Sequence, residues 1–592
     1  MPSTEPRAAP DAQPSDAGLL VGYLRPERAR VLALSLVLLV AMLAPIAGPV
    51  LLGTAIDRAL DGQPSGELLL PGIAFLVVTL GGDALQVFVA WRSVSLAWRV
   101  GNRLRLDLAR HALRLDLEWH GRHSPGQLIE RLDGDIEAIV KFSSAAVLQL
   151  VGNVVLLAGV LVASLLVDWR AGLLIAVAAG AAVAVMLRLR VAGVPASDAG
   201  REVQGQLYGD LEERLGGLED IRANGAGDYA VHRLQEHSSR WWHTARKAGL
   251  VGGAGYAGAA SAFTVGSVLT LALGVALNRS GQLSIGSMLA LFRYSQMVRE
   301  PIERMGEQLR EMQKAIAGTR RAARLLATRP SIHDGPGTPL PPGPLAVDLD
   351  GVRLTYATGH VALDDVDLHL APGTVLGVVG RTGSGKTSLG RLLARLWDAT
   401  RGSVRLGGVD LRETTDDELR RRVAVVSQDV ELFDASLRDN LTLYGTRPAP
   451  DAELAAALDA VGLGPWLATR PAGLDTPLEG RLLSAGEAQL LAFARVLLSD
   501  AGLVLLDEAT SRLDPATETR LARATERALA GRTAVVIAHR LATLDRVDEV
   551  CVIEAGRIVE HGRRTTLAGD RGSRYASLRT ASSSASTGIL AS

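Results

Sequence analysis

Only four lysines stand among the 63 basic residues of this 592-residue chain, and one of them, Lys386, completes a chemical pattern. The apolar run Val375–Val379 leads into Gly380-Arg381-Thr382-Gly383-Ser384-Gly385-Lys386-Thr387, followed by an amphipathic helical pattern. A G-x-x-x-x-G-K-T run between a buried strand and a helix is a phosphate-binding loop. Gly380, Gly383 and Gly385 let backbone N–H groups, with that of Ser384, approach phosphate oxygens, and the helix N-terminus adds positive potential. Lys386 then reaches the β- and γ-phosphates, and Thr387 ligates Mg²⁺. A second apolar run, 503–506, ends in Asp507-Glu508. One carboxylate at a strand end holds a metal shell, and a second orients or deprotonates an attacking water. Asp507 is assigned to the metal and Glu508 to the water. A third run, 533–538, ends in His539. By residue type alone, that histidine reads first as structural. The set predicts ATP and Mg²⁺ as the groups bound.

The elements that carry these residues make up only half the chain. Lys+Arg and Asp+Glu are 63 each, so the net charge is zero, which argues against a nucleic-acid binder with a basic face. Hydrophobic residues are 48% and mean hydropathy is +0.19, as a membrane part joined to a soluble part requires. The single cysteine, Cys551, excludes an intramolecular disulfide and argues against a cysteine zinc cluster. Residues 1–18 are rich in Pro, Ala, Ser and Asp and are expected to be disordered. Apolar segments follow at 31–56, 68–91, 143–167, 171–187 and 250–277, most of them near or above the ~20 residues that cross a bilayer as a helix. A sixth, 283–299, is interrupted by Arg293. The long stretches 92–142 and 188–249 carry nine Lys/Arg each, whereas the short connections hold only Arg58, Arg170 and Arg279. The long stretches and the N-terminus are therefore expected on the cytoplasmic side. A cytoplasmic ATPase half demands an even number of spans, which promotes the sixth. The long stretches continue the helices beyond the bilayer, with breaks at 121–126 and at 216–227. A charged helix over 303–327 precedes a Pro/Gly-rich linker, 329–344, placing a membrane domain at 19–328, an ATPase domain at 345–579 and a flexible tail at 580–592.

Taken in order, these residues resemble the ATP-binding cassette transporters, specifically half-transporters of the exporter type, over about residues 20–579. Leu483-Ser484-Ala485-Gly486-Glu487 is similar to the family signature LSGGQ, and Gln428 to the Q-loop glutamine that senses Mg²⁺. Tyr356 resembles the aromatic that stacks on adenine. Ser511-Arg512-Leu513-Asp514 resembles the D-loop, and His539 the switch histidine at the γ-phosphate. Ser388 follows the loop threonine among the nucleotide-binding positions. The resemblance implies a multi-domain chain: an all-α, six-helix transmembrane domain of exporter type, then an α/β phosphate-loop ATPase domain. It implies a dimer, with itself or with a second half-transporter. In that dimer Ser484 and Gly486 complete the site holding ATP on the other subunit's Lys386. Residues near 119–126 and 216–229 resemble the intracellular tips that dock on ATPase domains. The implied activity is export of a small molecule, drug, lipid or peptide across the bacterial plasma membrane, in contact with membrane lipid and without nucleic acid. Exporter-fold import and ATP-gated regulation are the alternatives. Three departures stand out: Glu487 for the signature glutamine, Arg512 for alanine in the D-loop, and a run into the signature, 475–482, about two residues short.

Two charges lie inside apolar spans. Asp83 falls within 73–90, about 22 Å from the outer end of its span at 1.5 Å per residue, and Arg293 falls near the midplane of the sixth. A charge at that depth costs roughly 2.5–3.5 kcal/mol on insertion scales. The sequence leaves two readings open: an ion pair within the bundle, or side chains facing a translocation cavity and influencing substrate choice.

Overall fold

The computed structural model describes residues 16–142, 147–428, 430–478, 482–507, 515–538 and 541–580. The chain forms two compact units, one of 1–113 with 125–328 and one of 114–124 with 329–592. The division at 328/329 falls at the Pro/Gly-rich linker.

The second unit is built on two sheets. Four strands, β1 (Val347–Thr355), β2 (Val361–Leu370), β4 (Arg401–Leu406) and β5 (Val409–Asp410), form an antiparallel sheet in the order β2-β1-β4-β5. Six more, β3 (Val375–Val379), β6 (Val423–Val426), β7 (Leu503–Asp507), β8 (Thr533–Ile537), β9 (Glu549–Glu554) and β10 (Arg557–Arg563), form the order β10-β9-β3-β8-β7-β6. All neighbours in this sheet are parallel except β9 and β10. The unbroken apolar character of β3, β7 and β8 has a direct cause: parallel strands covered on both faces have no solvent side to alternate toward. All five residues of β8 are buried. The linker is packed: Leu340 is buried, and Arg422 donates from Nη2 to the carbonyls of Pro341 (2.8 Å) and Gly343 (2.6 Å).

The first unit is helical, as chain surrounded by lipid must be when each backbone group has to find a partner inside its own segment. The spans lie within the helices Arg28–Leu60, Ser65–Leu113, Val147–Val167, Trp169–Gly216 and Gly227–Arg279, the longer of which continue past them. Five helices among the described residues are long and apolar enough to cross a membrane. The sixth span is Ile285–Met297, continued by Arg299–Ala327. The helix is interrupted at Val298, and Arg293 breaks only the apolar run. Pro301 lacks the N–H that would bond the Met297 carbonyl, and its ring crowds that carbonyl. At the start of the chain, Asp16–Leu24 is helical, so residues 16–18 begin a helix and correct that part of the expected disordered segment. Residues 1–15 and 581–592 lie outside the described residues. The chain breaks its long helices at 114–116 and 122–124, and again at 217 and 224–226, near the two positions where glycines suggested reversals.

Polar contacts fix the packing of this unit. Buried Asp135 accepts from Arg321 Nε at 2.8 Å, tying 135–141 to the helix after the sixth span. Tyr294 donates its hydroxyl to the Ile46 carbonyl at 2.7 Å, and Ser295 donates to Ser267 at 3.0 Å. At the end of the first span, Asp57 accepts from the Gly286 N–H (2.7 Å) and the Ser284 hydroxyl (2.6 Å), capping the sixth span with a residue of the first. The two backbones nearly touch there: a Cβ at Gly286 would lie 2.0 Å from the Gly53 carbonyl oxygen.

Gly286→Ala is therefore expected to force the first and sixth spans apart, costing about 1–3 kcal/mol as overpacking does. The measurement is the thermal midpoint in detergent, against Gly81→Ala, where a Cβ meets nothing within 4 Å. Equal midpoints for the two variants would show that this contact is loose.

Candidate functional site

Three parallel strands set the site. β3 and β8 pair with Val378 opposite Ile537, and β8 pairs with β7 so that Leu506 faces Val536 and Asp507 faces Ile537. The carboxyl ends of β3, β8 and β7 thus lie side by side, where open parallel sheets bind ligands. β3 delivers the phosphate loop there, and β7 delivers Asp507. β6 lies beside β7 with Val426 opposite Leu506, so Gln428, two residues beyond β6 and exposed, comes to the same edge.

The loop is shaped by its glycines. Gly383 (φ +80°) and Gly385 (φ +110°) hold left-handed backbone. A Cβ at Gly385 would lie 2.5 Å from the Ala362 carbonyl oxygen, and one at Gly380 would lie 2.2 Å from that of Ile553. Lys386 opens the helix Lys386–Leu393. Its ammonium is buried and donates to the carbonyls of Gly380 (2.9 Å) and Arg381 (3.0 Å). Ser384 Oγ is buried with no hydrogen-bond partner among the described residues. A buried cation, an orphaned hydroxyl and a ring of N–H groups at a helix start form a cradle that fits a polyphosphate. Thr387 at the helix start and the half-buried Asp507 are hard oxygen donors of the kind Mg²⁺ takes. On the flank, Arg557 donates to Asp364 at 2.6 Å, and that hydrogen bond holds the Asp364 carboxyl below the usual carboxylate range.

The structure brings Tyr356 to the loop helix. Its hydroxyl and the Ser388 hydroxyl are 2.9 Å apart, and its ring meets Trp397 edge-on at 5.6 Å, with Arg391 over Trp397. Glu508, Asp514 and His539 lie outside the described residues, as does Arg512. Ser484 is exposed and caps the helix Ala485–Leu497, whose Gly486 is buried. Ser484 N and Oγ both donate to Glu487 Oε2 at 2.9 Å, while Glu487 N donates back to Ser484 Oγ. This is a capping box, which either glutamate or glutamine closes, so Glu487 keeps the local fold of the signature while adding a charge. The short run before it is held at Arg438, which pairs with Asp475 at 2.9 Å and with Asp451. Its residues 479–481 lie outside the described residues.

Residues 114–124, overlapping the tip expected near 119–126, fold with the second unit; the residues that hold them there were not singled out in the sequence. Asp116 accepts from the backbone of Ser331 and Ile332. Glu118 accepts from the Ala357 N–H at 3.0 Å and from Arg122 at 2.7 Å, next to Tyr356. Trp119 stacks on His123 at 4.1 Å. The signal available was the acidic pair Asp116 and Glu118 just ahead of Trp119. The second tip, 216–227, stays in the first unit, where Arg214 grips Asp210 with two bonds (2.7 and 2.8 Å) and holds that carboxyl below its ordinary range.

Comparison with known proteins agrees with this geometry. The family model for the ABC transporter transmembrane region matches residues 31–302, and that for the ABC transporter matches 363–511. An ATP-dependent lipid A-core flippase of Thiobacillus denitrificans is 30% identical over 581 residues, 95% of this chain and 97% of that protein. A multidrug efflux ATP-binding/permease protein of Mycobacterium bovis is 33% identical over 551 residues, 90% of this chain but 45% of that protein, so the chain spans under half of its length. The solved structure of a bacterial Atm1-family ABC exporter with ATP bound has the same fold, with a TM-score of 0.77, 24% identity, and coverage of 94% of this chain and 98% of that one.

Gly385→Ala is expected to weaken ATP binding without unfolding the protein. Strain of about 1–3 kcal/mol at a left-handed position corresponds to a roughly 5–150-fold rise in Kd, read by titration with a fluorescent ATP analogue. Unchanged affinity would mean that the loop tolerates the side chain and does not form the cradle as described.

Proposed function

The chain belongs to the ATP-binding cassette transporter family and is an ATP-driven membrane exporter with its membrane and ATPase domains fused in one chain, and from that premise we propose how its residues divide the work. The observation that carries the proposal is the alignment of β3, β8 and β7, which puts the phosphate loop and Asp507 on one sheet edge. Lys386, Ser384 and the loop N–H groups, with Gly380, Gly383 and Gly385 giving them access, hold the triphosphate, while Tyr356 stacks on adenine beside Ser388. Thr387 and Asp507 hold Mg²⁺, with Gln428 reaching its shell. Held there, the ion would supply neutralisation of the charge developing on the phosphates. Glu508 accepts the proton of the attacking water, and His539 contacts the γ-phosphate.

The working unit is a dimer, of two copies of this chain or of this chain and a second half-transporter. Ser484 and Gly486 of one subunit close over the nucleotide on the partner's Lys386, and Asp514 lies where the two halves communicate. Closure and release move the membrane domains between two access states. The N-terminus and ATPase domain are cytoplasmic, and the membrane is the bacterial plasma membrane. The flippase and efflux relatives support an amphipathic lipid or drug as cargo, with small molecules and peptides as the wider class.

Two variants test the catalytic assignments once the subunit composition of the purified protein is known. Glu508→Gln should keep ATP binding and lose steady-state hydrolysis by ~10²–10⁴-fold, the usual worth of a general base, while accumulating closed dimer with trapped ATP. Wild-type turnover would remove Glu508 from that role. Ser484→Arg should abolish hydrolysis while leaving ATP affinity of the undimerised protein unchanged. A large loss of affinity there would contradict a role on the partner's nucleotide.

A further inference from the structure

The membrane unit contains two charges that the rest of the chain leaves uncompensated. Asp83 and Arg293 are both exposed, and no hydrogen bond or ion pair engages either among the described residues. The structure also fixes where they stand. Gly82, the neighbour of Asp83, packs on the first span at Ala44, Pro45 and the Ala41 carbonyl. Tyr294, the neighbour of Arg293, bonds the Ile46 carbonyl of the same span. The contacts of Gly82 centre near residue 43 and those of Tyr294 and Gly286 set Arg293 near the level of residue 46, so the two charges lie within ~6 Å of one another in depth, a difference that an arginine side chain spans. They lie on different sides of the first span: Ala44, Pro45 and Gly48 meet the second span, whereas Ile46, Gly53 and Asp57 meet the sixth. A helix ~10 Å across stands between them, which excludes the ion pair within one chain that the sequence left open.

We propose that Asp83 of one protomer pairs with the partner's Arg293, twice, in a dimer of this chain. This rests on the proposal that the working unit is a dimer and narrows it to two identical copies. Both copies insert with the same orientation, so their two-fold axis is the membrane normal, and rotation about it preserves depth. Closely matched depth with opposite charge permits a reciprocal, isologous contact. The pairing neutralises all four charges at once. A cargo ion bound at either residue would leave the other uncompensated, and both uncompensated when no cargo is present. A pair spanning the dimer makes the separation of the second span from the partner's sixth span a charged step, which an access change must make and break.

The test uses full-length chains in native membranes. The one native thiol, Cys551, is buried and its pKa is pushed up to about 12, so it does not compete for a short bis-maleimide. Asp83→Cys chains co-expressed with Arg293→Cys chains should cross-link to a band of twice the chain mass, and neither variant expressed alone should do so. Charge reversal gives an independent readout. Asp83→Arg and Arg293→Asp should each lower the ratio of dimer to monomer after detergent extraction by about tenfold, the ordinary coupling of contacting residues, and the double variant should restore it. Absence of both the cross-link and the rescue, in protein that light scattering shows to be dimeric, overturns the ion pair and leaves the dimer standing. Monomeric protein overturns the pair and the homodimer together. Additive single-variant losses with altered substrate stimulation of ATPase activity overturn it in favour of a cargo-facing role.

Discussion

The second unit depends on the close approach of the phosphate loop to two strands at once. Gly380 lies against the carbonyl of Ile553 in β9, and Gly385 against that of Ala362 in β2. β9 belongs to the six-stranded sheet and β2 to the four-stranded one, so the loop sits at the seam between them. Gly556 N donates to the Ser384 carbonyl and Asp364 N donates to the Gly556 carbonyl, both at 2.9 Å, closing the seam with backbone bonds. A side chain at either glycine would move the loop away from a strand and change the cradle and the sheet junction together. The glycines therefore serve the binding of an anion and the assembly of the fold by the same absence of a Cβ.

The membrane unit answers a different constraint. Lipid offers no hydrogen bonds, so polar groups are placed where a neighbouring helix or a water-exposed end satisfies them. Asp57 caps a helix start, Ser295 bonds Ser267, and Gln308 donates to Gln149 at 3.3 Å. Close helix contacts use small residues, as at Gly53 and Gly286, because packing and not hydrophobic burial holds helices together there. Asp83 and Arg293 are charges inside the apolar spans without such a partner among the described residues, which is why they point beyond the single chain.

Residues 114–124 are flanked on both sides in sequence by the membrane unit. They interrupt the chain of the membrane unit yet fold with the ATPase unit, through Asp116 on the linker backbone and Glu118 on the backbone beside Tyr356. A carboxylate accepting a backbone N–H is a charge-assisted bond, so a displacement of this tip is felt at the residue next to the aromatic proposed to stack on adenine.

How much was legible follows from the range of each interaction. The apolar runs at 375–379, 503–506 and 533–538 are β3, β7 and β8, because burial on both faces writes itself into consecutive residues. The spans were legible for a similar reason: a bilayer demands about 20 apolar residues in a row. The phosphate loop was legible because its glycines and Lys386 are contiguous. The helix break at Val298 in the sixth span was not legible. The charge of Arg293 was conspicuous, but the backbone yields where Pro301 removes a donor. Glu118 beside Ala357 was not legible, since 239 positions separate them and no local pattern encodes the meeting. Nor was the relation of Asp83 to Arg293: each charge is plain in the sequence, but only the packing of Gly82 and Tyr294 on the first span gives them similar depths and different sides. The sequence by itself determined the elements and the chemistry that contiguous residues carry. The tertiary structure decided which distant residues share a strand edge, a seam or a depth in the membrane, because those are set by packing between elements and not by the pattern within them.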